Sequence, residues 1–571
     1  MTMALRRLSS AFVSTSLHLS LRHIRTTPLT SPISPPLRYS RLSRSTVSAP
    51  TMVATKSAPG ALDTDESGGV LIAPRNGMLD IGFSADLSAH TGEILVLGVW
   101  ALEDDEAEFK IPPSLAVFDK DGVLSEVVVD AEFKGKAGSS TEIVRVFGSG
   151  AKRLVLYGLG KKSKGSKAVS GAAKFAVEKG RGIKSCSSVG LYVDDASVGD
   201  VAAIAEGANV GAYIDERYRE KKESEKVPSE LLIVGLSSKD EYANAIKRGT
   251  AIATGIITTK EVVAAPANAL TPQTLAIASE MVAKETGLDI KIMGRAECEA
   301  LGMGSYLGVG RGSTDEPKFI HMTYKPEGGA TKKVCLVGKA VTFDTGGTNL
   351  KVGASMIELM KFDMGGSGVA LGTAKAIGEI KPKGVEVHFI MPAVENMLSD
   401  KAIHPGDILK ASNGKTIEVL NTDAEGRLCL ADALVYAENL GDVDYIVDMA
   451  TLTGACIVSL GNDMAGVWSS SDELAQSIVS SGEEVGESMW RMPLYEDYAE
   501  QLKSKIADLR NIGAGRAGSS ITAALFLKEF VKTKNWAHID MAGPVWSEKK
   551  GGATGYGVKT MVKWLESVVD A

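Results

Sequence analysis

Short apolar runs and longer amphipathic stretches alternate along most of this chain. Glu93–Trp100, Arg153–Tyr157, Val189–Val193 and Leu231–Val234 are brief, rich in Val, Leu and Ile, and read as strands. Between them apolar positions recur at helical spacing, as over residues 171–179. The pattern organises residues 75–235 into a first α/β domain. Farther on, strands are predicted at Lys333–Val337, Val385–Ile390, Thr416–Leu420, Tyr445–Asp448 and Trp536–Asp540. Helices are predicted near 367–380, 429–440, 519–533 and 555–569. This order predicts a second domain over residues 245–571, with a mainly parallel sheet and helices on both faces. Ligand chemistry in such sheets gathers beyond the carboxyl ends of the strands.

The amino-terminal stretch breaks the pattern. Residues 1–55 are rich in Ser, Arg, Thr and Pro, with eleven Ser before residue 50. Residues 1–62 hold eight Lys or Arg and no acid. Such a segment buries little apolar surface, and its composition is that of a disordered organelle transit peptide. The Ser and Pro content points to the chloroplast stroma; the basic start Met1–Leu8 could form a short helix and keeps the mitochondrion open. The plainer alternative is a disordered basic tail of the mature protein. Glu216–Lys226 reads as a solvated linker or helix face.

Bulk properties narrow the function. A chain of 571 residues is too long for one ordinary core. The net charge is −7, so residues 63–571 carry −7 − 8 = −15, which argues against nucleic acid as a partner. No apolar run is long and charge-free enough to span a bilayer, so no membrane partner is expected. Five cysteines at irregular spacing, with no CxxC, argue against a disulfide framework or a cysteine zinc site.

The common hydrolase signatures HExxH, GxSxG and GxxxxGK[ST] are missing. Gly308–Gly312 and Gly365–Gly368 read as turns or helix starts. With seven His and none at ligand spacing, any metal site must be built from carboxylates. Three segments supply them. Gly338–Lys351 follows a strand and carries Lys339, Asp344 and Lys351 near a Gly-Gly turn. Glu358–Gly366 carries Asp363 ahead of a helix, and Asn421–Arg427 carries Asp423 and Glu425 between a strand and a helix. On an extended strand end, Asp423 and Glu425 would point to one side. Carboxylates converging in a partly dry cleft repel one another unless cations neutralise them, and hard oxygen donors suit Zn²⁺, Mn²⁺ or Mg²⁺. Taken singly, each has a plainer reading: Asp363 and Asp423 as helix caps, Glu425 as a charge favouring the helix dipole, Lys339 and Lys351 as surface lysines.

Asn421-Thr-Asp-Ala-Glu-Gly-Arg-Leu428, joined to the Lys339/Asp344/Lys351 spacing, resembles the cytosol-type leucine aminopeptidase family of dinuclear metallopeptidases, in its plant plastid form. Ala265–Pro272, Gly302–Leu307, Lys318–Tyr324, Ala450–Ala455, Ser520–Leu527 and Trp536–Gly543 extend the likeness over residues 240–571. Ala340 and Thr345 depart from the Gly and Ser usual there, and Asn511–Gly518 departs from the usual wording. The resemblance implies removal of an N-terminal residue, Leu or Met preferred, from peptide substrates. It implies two divalent metal ions per subunit, Mn or Zn, with Mg as a further option. Asp344 and Glu425 would bridge them, Asp423 would complete one metal's ligands, and Lys339 with Asp363 the other's. Lys351 and Arg427 would be the catalytic residues that bind no metal, with bicarbonate at Arg427. Met360, Thr451 and Ala455 would line the first side-chain pocket, and Leu452 would offer its carbonyl to the substrate amine. The family also implies a homohexamer and a macrodomain-like first domain. A non-catalytic scaffold keeping the fold is the alternative; its mark would be lost ligands, and all five are present.

Overall fold

Strands with no polar face build the first domain. The computed structural model describes residues 78–569 apart from 88–89, 105–108, 147–149, 163–166 and 219–225. The predicted transit segment 1–55 and most of 216–226 lie outside the described residues. β1 (Asp80–Ser84), β2 (Ile94–Ala101), β3 (Leu154–Lys161), β4 (Ser188–Val193) and β5 (Glu230–Val234) form an all-parallel sheet in the order β1-β5-β4-β2-β3. Side chains of β2 alternate between two cores, Ile94 and Val96 into one, Leu95, Leu97 and Val99 into the other. α1 (Val123–Asp130) covers the second face. α2 (Lys167–Arg181) and α3 (Val198–Ala212) cover the first. Ser197 and Asp200 close a capping box at the start of α3. The four strands predicted here all form; only the edge strand β1 escapes the apolar pattern, because it is half exposed.

α4 (Asp240–Ala264) leads into the second domain and packs on α3 behind it and on a helix ahead. The chain continues through α5 (Pro272–Thr286), β6 (Asp289–Met293), α6 (Arg295–Ala300), α7 (Gly304–Val309) and β7 (Lys318–Tyr324). β8 (Ala330–Gly338), β9 (Ala340–Asp344), α8 (Gly365–Ile380) and β10 (Gly384–Asn396) follow. Next come β11 (Ile408–Lys410), β12 (Thr416–Glu418), α9 (Gly426–Glu438), β13 (Tyr445–Ala450), α10 (Gly454–Leu460) and β14 (Ala465–Ser469). α11 (Asp472–Val485), β15 (Met489–Arg491), β16 (Leu509–Arg510), α12 (Ser519–Lys528), β17 (Trp536–Asp540) and α13 (Val558–Ser567) complete it.

Eight of these strands lie in the order β15-β14-β17-β13-β8-β10-β7-β6, and β9 extends the pairing of β10. The centre is parallel: β17, β13, β8 and β10 run the same way. The flanks are not, since β7 and β14 pair antiparallel with β10 and β17, and β6 with β7. The sheet is therefore mixed, with a parallel heart, because strand direction is set by connections that apolar periodicity does not encode. Val334 and Leu336 of β8 face one core with α4, α5, α8, α11 and α13. Cys335 and Val337 face the other with α7, α9 and α12. The predicted strand Thr416–Leu420 needs correcting: β12 is shorter and stays out of this sheet. Asn413-Gly414, with Gly414 at φ +91°, turns the chain into an antiparallel hairpin of β11 and β12, which β16 extends. All five cysteines are free and buried. No helix among the described residues is long and apolar enough to cross a membrane.

Candidate active site

Parallel strands deliver the polar side chains to one end of the sheet. Lys339 follows β8, Asp344 ends β9, Asn396 ends β10, Thr451 follows β13 and Asp540 ends β17. This is the carboxyl edge where open α/β sheets place their ligands. Beyond Asp344 the chain doubles back through Gly346 (φ +85°) and Gly347 (φ +64°), left-handed conformations that disfavour other residues. The Gly346 N–H donates to Asp344 Oδ1 at 2.8 Å, and the Lys351 N–H closes the loop onto the Thr345 carbonyl at 2.9 Å. Asp363 follows a 3₁₀ turn over Ile357–Phe362 and precedes α8. Gly426 leaves room for the Lys339 stem: a Cβ there would stand 2.4 Å from Lys339 Cε.

Asp344, Asp363 and Glu425 converge, each buried, with one oxygen of each within 4.8 Å of the others. Lys339 lies among them, 2.7 Å from Asp363 Oδ1 and 2.9 Å from Glu425 Oε1, and donates to the Thr451 carbonyl at 3.0 Å. Lys351 bridges the outer side, 2.9 Å from Asp344 Oδ2 and 2.5 Å from Asp423 Oδ1. Asp423 is the most open of the four acids, its side chain 31% exposed, and lies at the mouth of the cluster. Burial, with Glu425 beside it, raises the Asp344 carboxyl to about 7. Burial also raises Asp363 and Asp423, against the pull of the lysines. Glu425 goes the other way, to about 2, because Lys339 and Lys351 outweigh its burial. Both lysines are held above the ordinary lysine range by these carboxylates despite burial.

The capping readings of Asp363 and Asp423 and the surface reading of the lysines can now be set aside, while Glu425 stands where its charge also favours the dipole of α9. Glu425 occupies the N-cap position of α9, yet its side chain makes no capping hydrogen bond. The side chains of Asp363 and Asp423 are engaged by Lys339 and Lys351. Strand alternation, expected to aim Asp423 and Glu425 to one side, does not operate here. Residues 421–425 form a turn, with Glu425 at φ −81°, ψ −36°, so the two acids do not sit on an extended strand end.

Thr451 is tied into the carboxylate cluster, its hydroxyl donating to Asp363 Oδ1 at 2.9 Å. Leu452 is anchored through its N–H to Asp540 Oδ1 at 3.1 Å. Arg427 is buried, donates to the Asn511 carbonyl at 2.8 Å and keeps a buried Nε without a partner. Burial lowers its pKa to about 10. Met360 lies in the 3₁₀ turn before Asp363 and Ala455 in the first turn of α10, both partly buried; no hydrogen bond ties either side chain to the cluster.

Four residues that shape the site escaped the sequence reading. Asn396 donates to Asp344 Oδ1 at 2.8 Å and to the Thr422 carbonyl at 3.0 Å. Thr422 donates to the Gly346 carbonyl at 2.6 Å. Asn511 accepts from the Leu420 N–H and donates to the Asn421 carbonyl, pinning the carboxylate turn. Asp540 accepts from Leu452 and Thr453. Asp540 ends a predicted strand, so a polar residue at a strand end was the available signal there; Asn396 lies beyond the predicted strand Val385–Ile390, because β10 runs on to it.

Comparison with known proteins decides the family. Residues 257–562 match the cytosol aminopeptidase family catalytic domain, and residues 96–222 match that family's N-terminal domain. The chain belongs to the cytosol aminopeptidase family. It is 49% identical over 489 residues to a probable cytosol aminopeptidase of Cyanothece sp., covering 83% of this chain and 97% of the relative. It is 48% identical over 508 residues to leucine aminopeptidase 1 of Arabidopsis thaliana, covering 85% and 96%. A substituted form of tomato leucine aminopeptidase superposes with a TM-score of 0.78 at 40% identity, covering 86% of this chain and 97% of that one. The protein is thus a metallo-aminopeptidase, a hydrolase of peptide bonds with the two-domain α/β fold of that family. The scaffold alternative is not favoured.

Proposed function

We propose that this aminopeptidase holds two divalent cations in the Lys339–Glu425 cluster and releases Leu- or Met-like residues from peptide N-termini. The observation that carries the reading is a charge imbalance. Four carboxylates (Asp344, Asp363, Asp423, Glu425) meet two ammoniums (Lys339, Lys351), so full ionisation would leave 4 − 2 = 2 negative charges in a largely buried place, which protons or cations must answer. Asp363 Oδ2 is buried with no hydrogen-bond partner, as suits an atom reserved for a cation. Asp344 and Glu425 would bridge the cations, Asp423 would complete one set of ligands, and Lys339 with Asp363 the other. Dications in place of protons would let Lys339 bind as the neutral amine. Carboxylates with one amine suit Mn²⁺ or Zn²⁺, and Mg²⁺ less well.

When bound, the two cations supply an activated water near neutral pH and polarise the scissile carbonyl. The protein supplies the rest. Lys351, held charged, faces the cluster and stabilises the negative charge that develops on the carbonyl oxygen. The Leu452 carbonyl accepts a hydrogen bond from the substrate α-amine, its segment fixed by Asp540. Arg427, with a free buried Nε, suits a bicarbonate ion that passes the proton onward. Met360, Thr451 and Ala455 bound the first side-chain pocket. The relatives in cyanobacteria and Arabidopsis fit the acid-free segment 1–62 in supporting import into the chloroplast stroma, and assembly as a homohexamer is expected. Metal analysis joined to a panel of dipeptides tests the reading. Two metals per chain and fastest release of Leu or Met are expected; full activity after exhaustive chelation would refute it.

A further inference from the structure

Away from the catalytic centre, one cavity spans the two domains. It measures about 230 Å³ and lies between α3 of the first domain and α4, α11 and α13 of the second. Ala202, Ile252 and Val485 give it an apolar wall. Five ionisable side chains also line it: Glu206, Arg248, Glu484, Lys559 and Lys563. Three of the five are matched locally. Arg248 Nε donates to Glu566 at 2.9 Å, and Lys563 pairs with Glu484 at 2.9 Å. Glu206 and Lys559 are left over. Among the described residues neither makes a hydrogen bond or a direct ion pair, although Glu206 is only 7% exposed; they act on each other through space, the Glu206 charge holding the Lys559 ammonium up against its burial. Glu487 lies near Lys559 but accepts the N–H and hydroxyl of Thr560, at 3.0 and 2.6 Å.

A buried carboxylate and a half-buried ammonium that meet only through space keep hydrogen-bonding capacity that a bound group could satisfy. An anion would meet Glu206, and a cation would meet Lys559. A neutral ligand carrying both charges matches each wall, and the apolar side favours an aliphatic body. The volume suits one small molecule and not a peptide of several residues. We propose that this interdomain cavity binds a free aliphatic α-amino acid, its ammonium at Glu206 and its carboxylate at Lys559. The assignment does not rest on the metal reading of the catalytic centre. It does place the chemical class of the enzyme's own product between the two domains, where binding stabilises their contact.

Equilibrium dialysis of radiolabelled leucine against the metal-loaded full chain tests this. Two classes of site per chain are expected, one catalytic and one interdomain. Lys559→Met and Glu206→Gln should each weaken only the second class, by about tenfold or more, while leucyl-p-nitroanilide turnover stays unchanged. On the unmodified chain, isocaproate (no amine) and isoamylamine (no carboxylate) should fail to displace leucine from the second class. A single class of site, a second class indifferent to both substitutions, or displacement by isocaproate as effective as by leucine would overturn the proposal. The analogue competition needs no variant, so misfolding of a substituted chain cannot hide the answer.

Discussion

Each domain carries a charge cluster at a strand end, and the two clusters behave in opposite ways. At the amino edge of the first sheet, Glu93 precedes β2 and meets Lys152 at 2.6 Å and Arg153 at 2.5 Å. One carboxylate faces two cations, one of them 64% exposed. Lys152 and Ser185 together hold Glu93 down at about 2. At the carboxyl edge of the second sheet, four carboxylates face two cations, and Asp344 rises to about 7 by burial and by Glu425. The same side-chain chemistry gives an ordinary surface tie in one place and a site demanding more positive charge in the other. Charge balance and burial, rather than the mere presence of ion pairs, separate the two.

The comparison can be broken most decisively at Glu425. Glu425→Gln should lower kcat/KM for leucyl-p-nitroanilide by about 10³-fold or more, with metal content reduced and the melting temperature little changed. Near-normal turnover would remove Glu425 from the cluster's function. Asn396→Ala tests the support of Asp344 and should weaken metal affinity by about 10- to 100-fold. Metal titration reads this directly, and unchanged affinity would leave Asn396 with a purely structural role.

A third prediction separates charge that serves folding from charge that serves chemistry. His321 accepts from or donates to Tyr436 at 3.0 Å and His388 at 2.9 Å, and burial lowers its pKa to about 4. The unfolded chain binds a proton near pH 6.5, so this stability is full above 6.5 and is lost as pH falls toward 4. Between pH 7 and 5 the loss is about 2 kcal/mol, which His321→Gln should abolish in urea unfolding curves. Equal pH dependence in both chains would contradict it. The smallest effect belongs to Glu93→Gln, for which turnover per folded molecule should stay within about twofold. Because its folded pKa is depressed, Glu93 contributes stability above about 4.5 that fades as pH falls toward about 2, so the variant should differ from the parent at neutral pH and converge with it in acid. A large loss of turnover would tie the first domain to catalysis.

Much of this was legible in residues alone. Continuous apolar runs at Glu93–Trp100 and Val385–Ile390 marked buried strands because parallel strands covered on both faces have no polar side. The Asn421–Leu428 octapeptide, with Lys339, Asp344 and Asp363, identified the family and the carboxylate cluster. Local sequence also carried the Gly346-Gly347 turn, whose left-handed backbone only glycine adopts freely. Three things came from tertiary structure. Strand direction at the sheet flanks depends on how connections cross, so the antiparallel pairing of β7 and β14, neither of them among the predicted strands, came only with the fold. The convergence of Asp423 and Glu425 came from a turn pinned by Asn511, some ninety residues away, and not from strand alternation. The placing of Glu206 and Lys559 on the walls of one interdomain cavity joins residues from two domains that no local spacing connects. Chain-local physics sets which residues are buried and where turns fall; distances between remote segments exist only once those segments pack.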